Sequence, residues 1–162
     1  MIPSTTKNIF ISFLFMLLAL LFLLFVGFYH QKNIAKNGEY HTSLYVINSG
    51  GVSKLRIVAH IERDRFLTTT YLSSPALRGV AKFISKGKFI KSDEIGSYVY
   101  HYKLTQVGNT EVIDPNNAEV YLNMIGRAGL PKEEKIMMLY NSNEFNIFDM
   151  MRYGNVLMYA KK

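Results

Sequence analysis

Two rhythms of hydrophobicity divide the chain. Residues 9–28, IFISFLFMLLALLFLLFVGF, are apolar throughout, with no charge, no proline and Ser12 as the one polar side chain. A helix of roughly 20 residues crosses a ~30 Å hydrocarbon core, so this run predicts a transmembrane helix. The rest of the chain is too polar to enclose it as a buried helix of a soluble protein. The run exceeds the roughly 7–15 residues of a secretory signal core, and Val26-Gly27-Phe28-Tyr29-His30 offers no small-x-small cleavage site, which favours an uncleaved anchor. Lys7 before the run nearly balances Lys32 and Lys36 after it, so the flanking charges do not orient it. A short head before a first span usually stays inside. The expected organisation is therefore a cytoplasmic stub at residues 1–8, an anchor at 9–28, a polar linker at 29–39 and a periplasmic β domain at 40–162.

From Tyr40 the period changes to two. In residues 40–47, Leu44 and Val46 share one face and His41, Ser43, Tyr45 and Ile47 the other, before the turn Asn48-Ser49-Gly50-Gly51. Residues 54–61 alternate Leu55, Ile57, Ala59 and Ile61 with Lys54, Arg56, Val58 and His60, a pattern that suits an antiparallel strand with one wet face. A charged corner, Glu62-Arg63-Asp64-Arg65, leads into the β-branched run 66–72. Residues 76–91 read as one long strand bent at Gly79 and Gly87, with Lys82, Lys86, Lys88 and Ile90 on one parity and Ala81, Phe83, Gly87 and Phe89 on the other. A turn at 92–96 returns into a strand over 97–106. There Tyr98, Tyr100, Tyr102 and Leu104 face one way and Val99, His101, Lys103 and Thr105 the other.

A short strand around residues 111–113 is followed by a helical stripe, Ala118, Tyr121, Leu122 and Ile125, which Gly126, Gly129 and Pro131 terminate. Residues 135–141 and 155–160 read as closing strands, and 144–153 fits either a helix or a strand. About seven or eight antiparallel strands with one short helix predict a mainly β domain, a lipocalin-like antiparallel barrel closed by the chain itself or by a partner chain. An unclosed barrel would offer an edge strand to that partner.

Composition narrows the chemistry. In a chain of 162 residues, the anchor leaves room for one domain. Cysteine is absent, which excludes disulfides, thiolate nucleophiles and thiolate metal sites, while 11 Tyr, 11 Phe and 8 Met supply core, pocket or interface. The formal net charge of +7 is spread along the sequence. A solvated surface explains it first and anionic lipid headgroups second, with no nucleic acid contact expected. His30, His41, His60 and His101 are dispersed singly, without metal-ligand spacing. No nucleophile elbow or phosphate-binding loop is present, and Asp64, Asp93, Glu94 and Asp149 lie in corners where water explains them. Neither an enzyme nor a cofactor or metal is expected.

The candidate site is a pocket. A row of tyrosines on one strand face can simply pack the sheet, or can wall a cavity in which phenol hydroxyls answer a ligand's polar groups. Strand parity nominates His41, Ser43, Tyr45, Ile57, Phe66, Phe83, Phe89, Tyr98, Tyr100, Tyr102, His101 and Met138 as ligand contacts.

Lys86-Gly87-Lys88-Phe89, the turn into the strand 97–106, then Asp114, the helical segment and a closing Tyr159 give a plan that resembles the VtrC-like family. These are the ToxS and FidL-like periplasmic co-components of membrane-anchored transcription factors in enteric bacteria. The resemblance implies an obligate heterodimer with a single-span, winged-helix activator of the VtrA or ToxR kind at the inner membrane. It also implies a lipocalin-like barrel whose apolar chamber takes bile salts, with occupancy coupled to virulence gene expression. Two other readings remain open, a membrane-anchored accessory factor of a secretion or fimbrial system and a lipocalin-like lipid carrier.

Overall fold

The computed structural model describes residues 4–31, 37–49, 51–92, 94, 96–150 and 155–162, and the side chains of these except 4–12, 27–31 and 155. The chain divides into two compact units, Met1–Ile34 and Ala35–Lys162.

The first unit is one helix, α1 (Ser4–Gln31). Every described side chain in it, from Phe13 to Val26, is exposed. Among the described residues no helix is long and apolar enough to cross a membrane. Residues 1–3 of the expected stub and 32–36 of the expected linker lie outside the described residues.

The second unit is a closed barrel of eight antiparallel strands: β1 (Gly38–Asn48), β2 (Gly51–Glu62), β3 (Arg65–Ser73), β5 (Val80–Lys91), β6 (Ser97–Val107), β8 (Pro131–Asn141), β9 (Phe145–Met150) and β10 (Asn155–Lys161). Each strand pairs with the next in this list, and β10 pairs with β1. Two minimal strands, β4 (Leu77–Arg78) and β7 (Glu111–Val112), pair with each other outside the barrel. A 3-10 turn (Pro115–Asn117) and helix α2 (Glu119–Arg127) fill the connection from β6 to β8.

The alternation along residues 40–107 sets the register. Leu72, Ala81, Phe83 and Leu104 point into the barrel and are buried, while Lys86, Lys88 and Lys103 point out and are exposed. A one-residue slip would invert every one of these positions. The anticipated long strand over 76–91 is interrupted. Gly79, at φ +94°, breaks it into β4 and β5, because a side chain rarely tolerates that backbone conformation. Gly87 stays within β5 for a different reason. A Cβ there would meet the His101 carbonyl oxygen at 2.0 Å and the Phe66 ring at 2.8 Å. The ambiguous stretch after Glu144 resolves as strand β9, with residues 151–153 outside the described part.

Helix α2 lays Tyr121 over a core of Leu72, Leu77, Ala81, Phe83 and Leu104, with Val120, Met124 and Ile125 packed around it. The expected stripe is rotated slightly. Leu122 is 48% exposed, and Val120 and Met124 take its place toward the core.

The barrel is closed by this chain alone, at its weakest seam. β1 meets β10 through two pairs, Tyr40 with Lys161 and His41 with Ala160. Among the described residues the ladder stops there, although β1 continues along β2 to Asn48. Among the described residues, no strand pairs with that edge of β1 beyond His41.

Candidate ligand-binding cavity

Inside the barrel lies a cavity of about 280 Å³. Its wall is divided in character. Leu55, Ile57, Ala59 and Ile61 of β2, Phe148 and Met150 of β9 and Leu157 of β10 make a mainly apolar side, with Tyr40 of β1 and Tyr159 of β10 between them. Thr68 and Thr70 of β3, Ser85 of β5, Tyr100 and Tyr102 of β6 and Glu134 of β8 gather polar groups on four strands that are neighbours in the sheet, with Leu104 and Ile136 interspersed. Phe66 and Phe89, their ring centroids 4.9 Å apart, lie at the level of the two tyrosines, with Phe89 opposite Tyr100 in the β5–β6 ladder.

The polar side is organised by one carboxylate. Glu134 sits opposite Tyr100 in the β6–β8 ladder, and its side chain is only 2% exposed. The Tyr100 hydroxyl donates to Oε2 at 2.5 Å and the Tyr102 hydroxyl donates to Oε1 at 2.9 Å. Arg127, the last residue of α2, reaches in from the helix to pair with Glu134 and to donate to the Tyr102 hydroxyl. The guanidinium thus neutralises a charge whose burial alone would be costly. The two phenol rings stack at 4.9 Å, 11° from parallel, so their hydroxyls reach the carboxylate side by side.

Burial, and then the hydrogen bond to Glu134, push the Tyr100 phenol far above its ordinary range. Burial alone raises Tyr159 to about 12 and also raises Tyr98. Tyr100 and Tyr159 therefore face the cavity as neutral hydroxyls. Arg127 and Glu134 cancel, so the site offers hydroxyl and carboxylate lone pairs without a net charge.

Of the residues nominated by parity, Ile57, Phe66, Phe89, Tyr100 and Tyr102 line this cavity together. Phe83 and Tyr98 point inward but are buried in packed layers on either side of it, and Met138 lies beyond its lining. His41, Ser43 and Tyr45 are corrected by the structure. They share a face as expected, but it is the outer one, since Tyr40 on the opposite parity is the buried residue of β1. His101 also faces outward, 3.6 Å from Glu133.

Sequence reading missed Arg127 and Glu134. Pro131-Lys132-Glu133-Glu134-Lys135 reads as a solvated charge run, and an arginine at the end of a helix reads as a partner for the helix dipole. The available signal was parity, because Glu134 is in step with the buried Ile136.

Among the described residues no cluster of three or more histidine or carboxylate side chains is placed to hold a metal. Compared with known families and with curated proteins, the chain matches no family model and no curated sequence.

Proposed function

We propose that this chain is a membrane-anchored sensory co-component whose barrel takes up a rigid, facially amphipathic ligand of the bile-salt class. The cavity's division into one apolar and one hydroxyl-rich side carries the reading. A sterol-like body with hydroxyls on one face and hydrocarbon on the other would match both sides at once. The volume stands just below the usual range of ligand pockets, roughly 300–1,000 Å³, and the polar side bears no net charge. The ligand's hydroxylated ring system therefore belongs inside and its anionic tail at the mouth.

Residues 9–28 serve as the inner-membrane anchor, with the barrel in the periplasm. The partner is a membrane-tethered winged-helix activator of the VtrA or ToxR kind. Two features support that part, the resemblance in plan to co-components of such activators and the β1 edge beyond His41, where a partner's strand could add. Tethering both chains to one membrane raises their effective concentration. Ligand bound across such a joint would favour the heterodimer by mass action. No catalysis is assigned.

Closure of the barrel within a single chain favours a second reading, a lipocalin-like lipid carrier that works without a partner. The accessory-factor reading has no use for an internal cavity. Calorimetry of the full chain in phospholipid nanodiscs, titrated with deoxycholate below its micellar range, separates them. Saturable, stoichiometric uptake that strengthens when the activator is present is the expected result. Equal uptake without the activator points to the carrier, and no uptake in either sample removes the ligand claim. Ser85→Leu, which fills the polar side, is expected to abolish uptake while the chain stays folded.

A further inference from the structure

The net charge that looks dispersed in sequence is gathered by the fold. Strands β2, β3, β5 and β6 are consecutive neighbours and carry eight lysines and arginines against one acidic residue, Glu62. That excess equals the chain's entire formal charge of +7. Strands β8, β9 and β10 are balanced, with three of each sign.

All but Lys91 of these cations lie on outward parity, where cross-strand registers align them in rows. Arg56, Tyr71 and Lys82 form one row, with Arg56 and Lys82 positioned 4.8 and 5.9 Å from the tyrosine ring centroid. Beyond an uncharged row of Val58, Thr69, Ile84 and Thr105, the row His60, Leu67, Lys86, Lys103 sets two lysines directly opposite each other. Like charges placed so are destabilising. Among the described residues, none of Arg56, Lys82, Lys86 and Lys103 forms an ion pair with a carboxylate. An arrangement that costs stability in the isolated protein is relieved by an external anion.

The apolar residues between the cations say which anion. Leu67 and Val107 stand in the same rows as the lysines, with 41% and 42% exposure, and Ile90 follows at 40% on β5. A nucleic acid or an acidic peptide would pair with the cations but would give the exposed Leu67, Ile90 and Val107 side chains no apolar partner. A lipid headgroup layer accommodates both kinds of side chain, apolar parts sinking below the charges and lysine stems snorkelling to the phosphates.

We propose that the outer face of β2, β3, β5 and β6 is a docking surface for the anionic phospholipid headgroups of a membrane. The barrel then lies against the bilayer through this face. It goes beyond the proposed anchor, because a tether of any kind would leave the barrel free to turn.

The test reconstitutes the full chain in phosphatidylcholine vesicles, with and without phosphatidylglycerol, and follows acetylation of individual lysines with a membrane-impermeant reagent. Each cation at an anionic surface shifts the local equilibrium about fivefold, so Lys82, Lys86 and Lys103 should react at least about fivefold more slowly in the anionic vesicles. High salt should restore their rates, and Lys135 and Lys161 should not change. Lys86→Glu with Lys103→Glu should abolish the slowing at Lys82. Unchanged rates, or equal slowing at every lysine, overturn the proposal. Slowing by inorganic phosphate in plain vesicles, with none from phosphatidylglycerol, assigns the face to a soluble phosphate ligand and also overturns it. Flotation with plain phosphatidylcholine vesicles reads the anchor separately. A chain that fails to float there but floats, salt-sensitively, with anionic vesicles loses the anchor and keeps the face.

Discussion

The barrel interior is solid at one level and hollow at the next, and the same strands build both. On β3, Leu72 is fully buried, whereas Thr70 and Thr68, one and two steps further in, face the cavity. On β5, Ala81 and Phe83 are fully buried, whereas Ser85 lines the cavity and Gly87 adds no side chain. At the solid level helix α2 delivers Tyr121 against Phe83, with ring centroids 6.1 Å apart. At the hollow level the helix delivers only Met124 and Arg127. A cavity therefore needs no special backbone. Short hydroxyl-bearing residues in one interior layer create it, provided the adjacent layer packs well enough to hold the strands apart.

Removing volume from the solid layer should have the largest effect. Phe83→Ala is expected to cost about 3–5 kcal/mol, read as a lowered midpoint in urea unfolding. Ser85→Leu, two residues along the same strand, adds volume where space exists and should leave that midpoint within about 1 kcal/mol or raise it. Similar losses from both substitutions would mean that the two layers are equally packed, and the distinction would fail.

Most of the barrel was legible because period-two alternation survives wherever one face is wet. Residues 54–61 and 97–106 show it without interruption, and both are strands with the expected faces. What sequence could not supply was which face is inside when both carry mixed residues. On β1 the outward set, His41, Ser43, Tyr45 and Ile47, mixes polar and apolar residues as the inward set, Tyr40, Thr42, Leu44 and Val46, also does, and it supplied three mistaken ligand candidates. The cavity itself was half legible. Tyr100 and Tyr102 stood out as aromatic positions on a strand, but their acceptor, Glu134, is hidden in a charge run, and the spatial neighbour Arg127 comes from an inserted helix. The basic face escaped for the same reason, since Arg56, Lys82 and Lys103 become neighbours only through register.

The charged group in the hollow layer offers the next effect in size. Glu134→Leu leaves the Tyr100 and Tyr102 hydroxyls without their acceptor and Arg127 without its counter-charge. Breaking a fully buried pair costs about 3–5 kcal/mol, but the Arg127 side chain is 33% exposed and can turn toward water, so about 2 kcal/mol is expected. Adding Arg127→Met should recover part of that loss, and the double-mutant cycle measures how much of it belongs to the pair. Additive losses would show that the arginine serves the solid layer through its aliphatic stem and contributes nothing to the polar wall.

The last effect appears only above about pH 10 and rests on proton affinity. A free tyrosine titrates near 10, whereas burial raises Tyr159 to about 12. The unfolded chain thus releases this proton first as pH climbs. The stabilisation tied to the neutral phenol is complete below about pH 10 and is lost as pH rises through about 12, by at most about 2.7 kcal/mol for two units. Tyr159→Phe retains the edge-on contact with Phe148, whose centroid is 5.9 Å away, and removes the proton. Urea midpoints of the two proteins should run parallel up to about pH 10 and then diverge, the parent falling faster. Lysine deprotonation in the same range is common to both and cancels in the difference. Parallel curves throughout would place the Tyr159 hydroxyl in water, and the hollow layer would then be open along β10 as well as at its mouth.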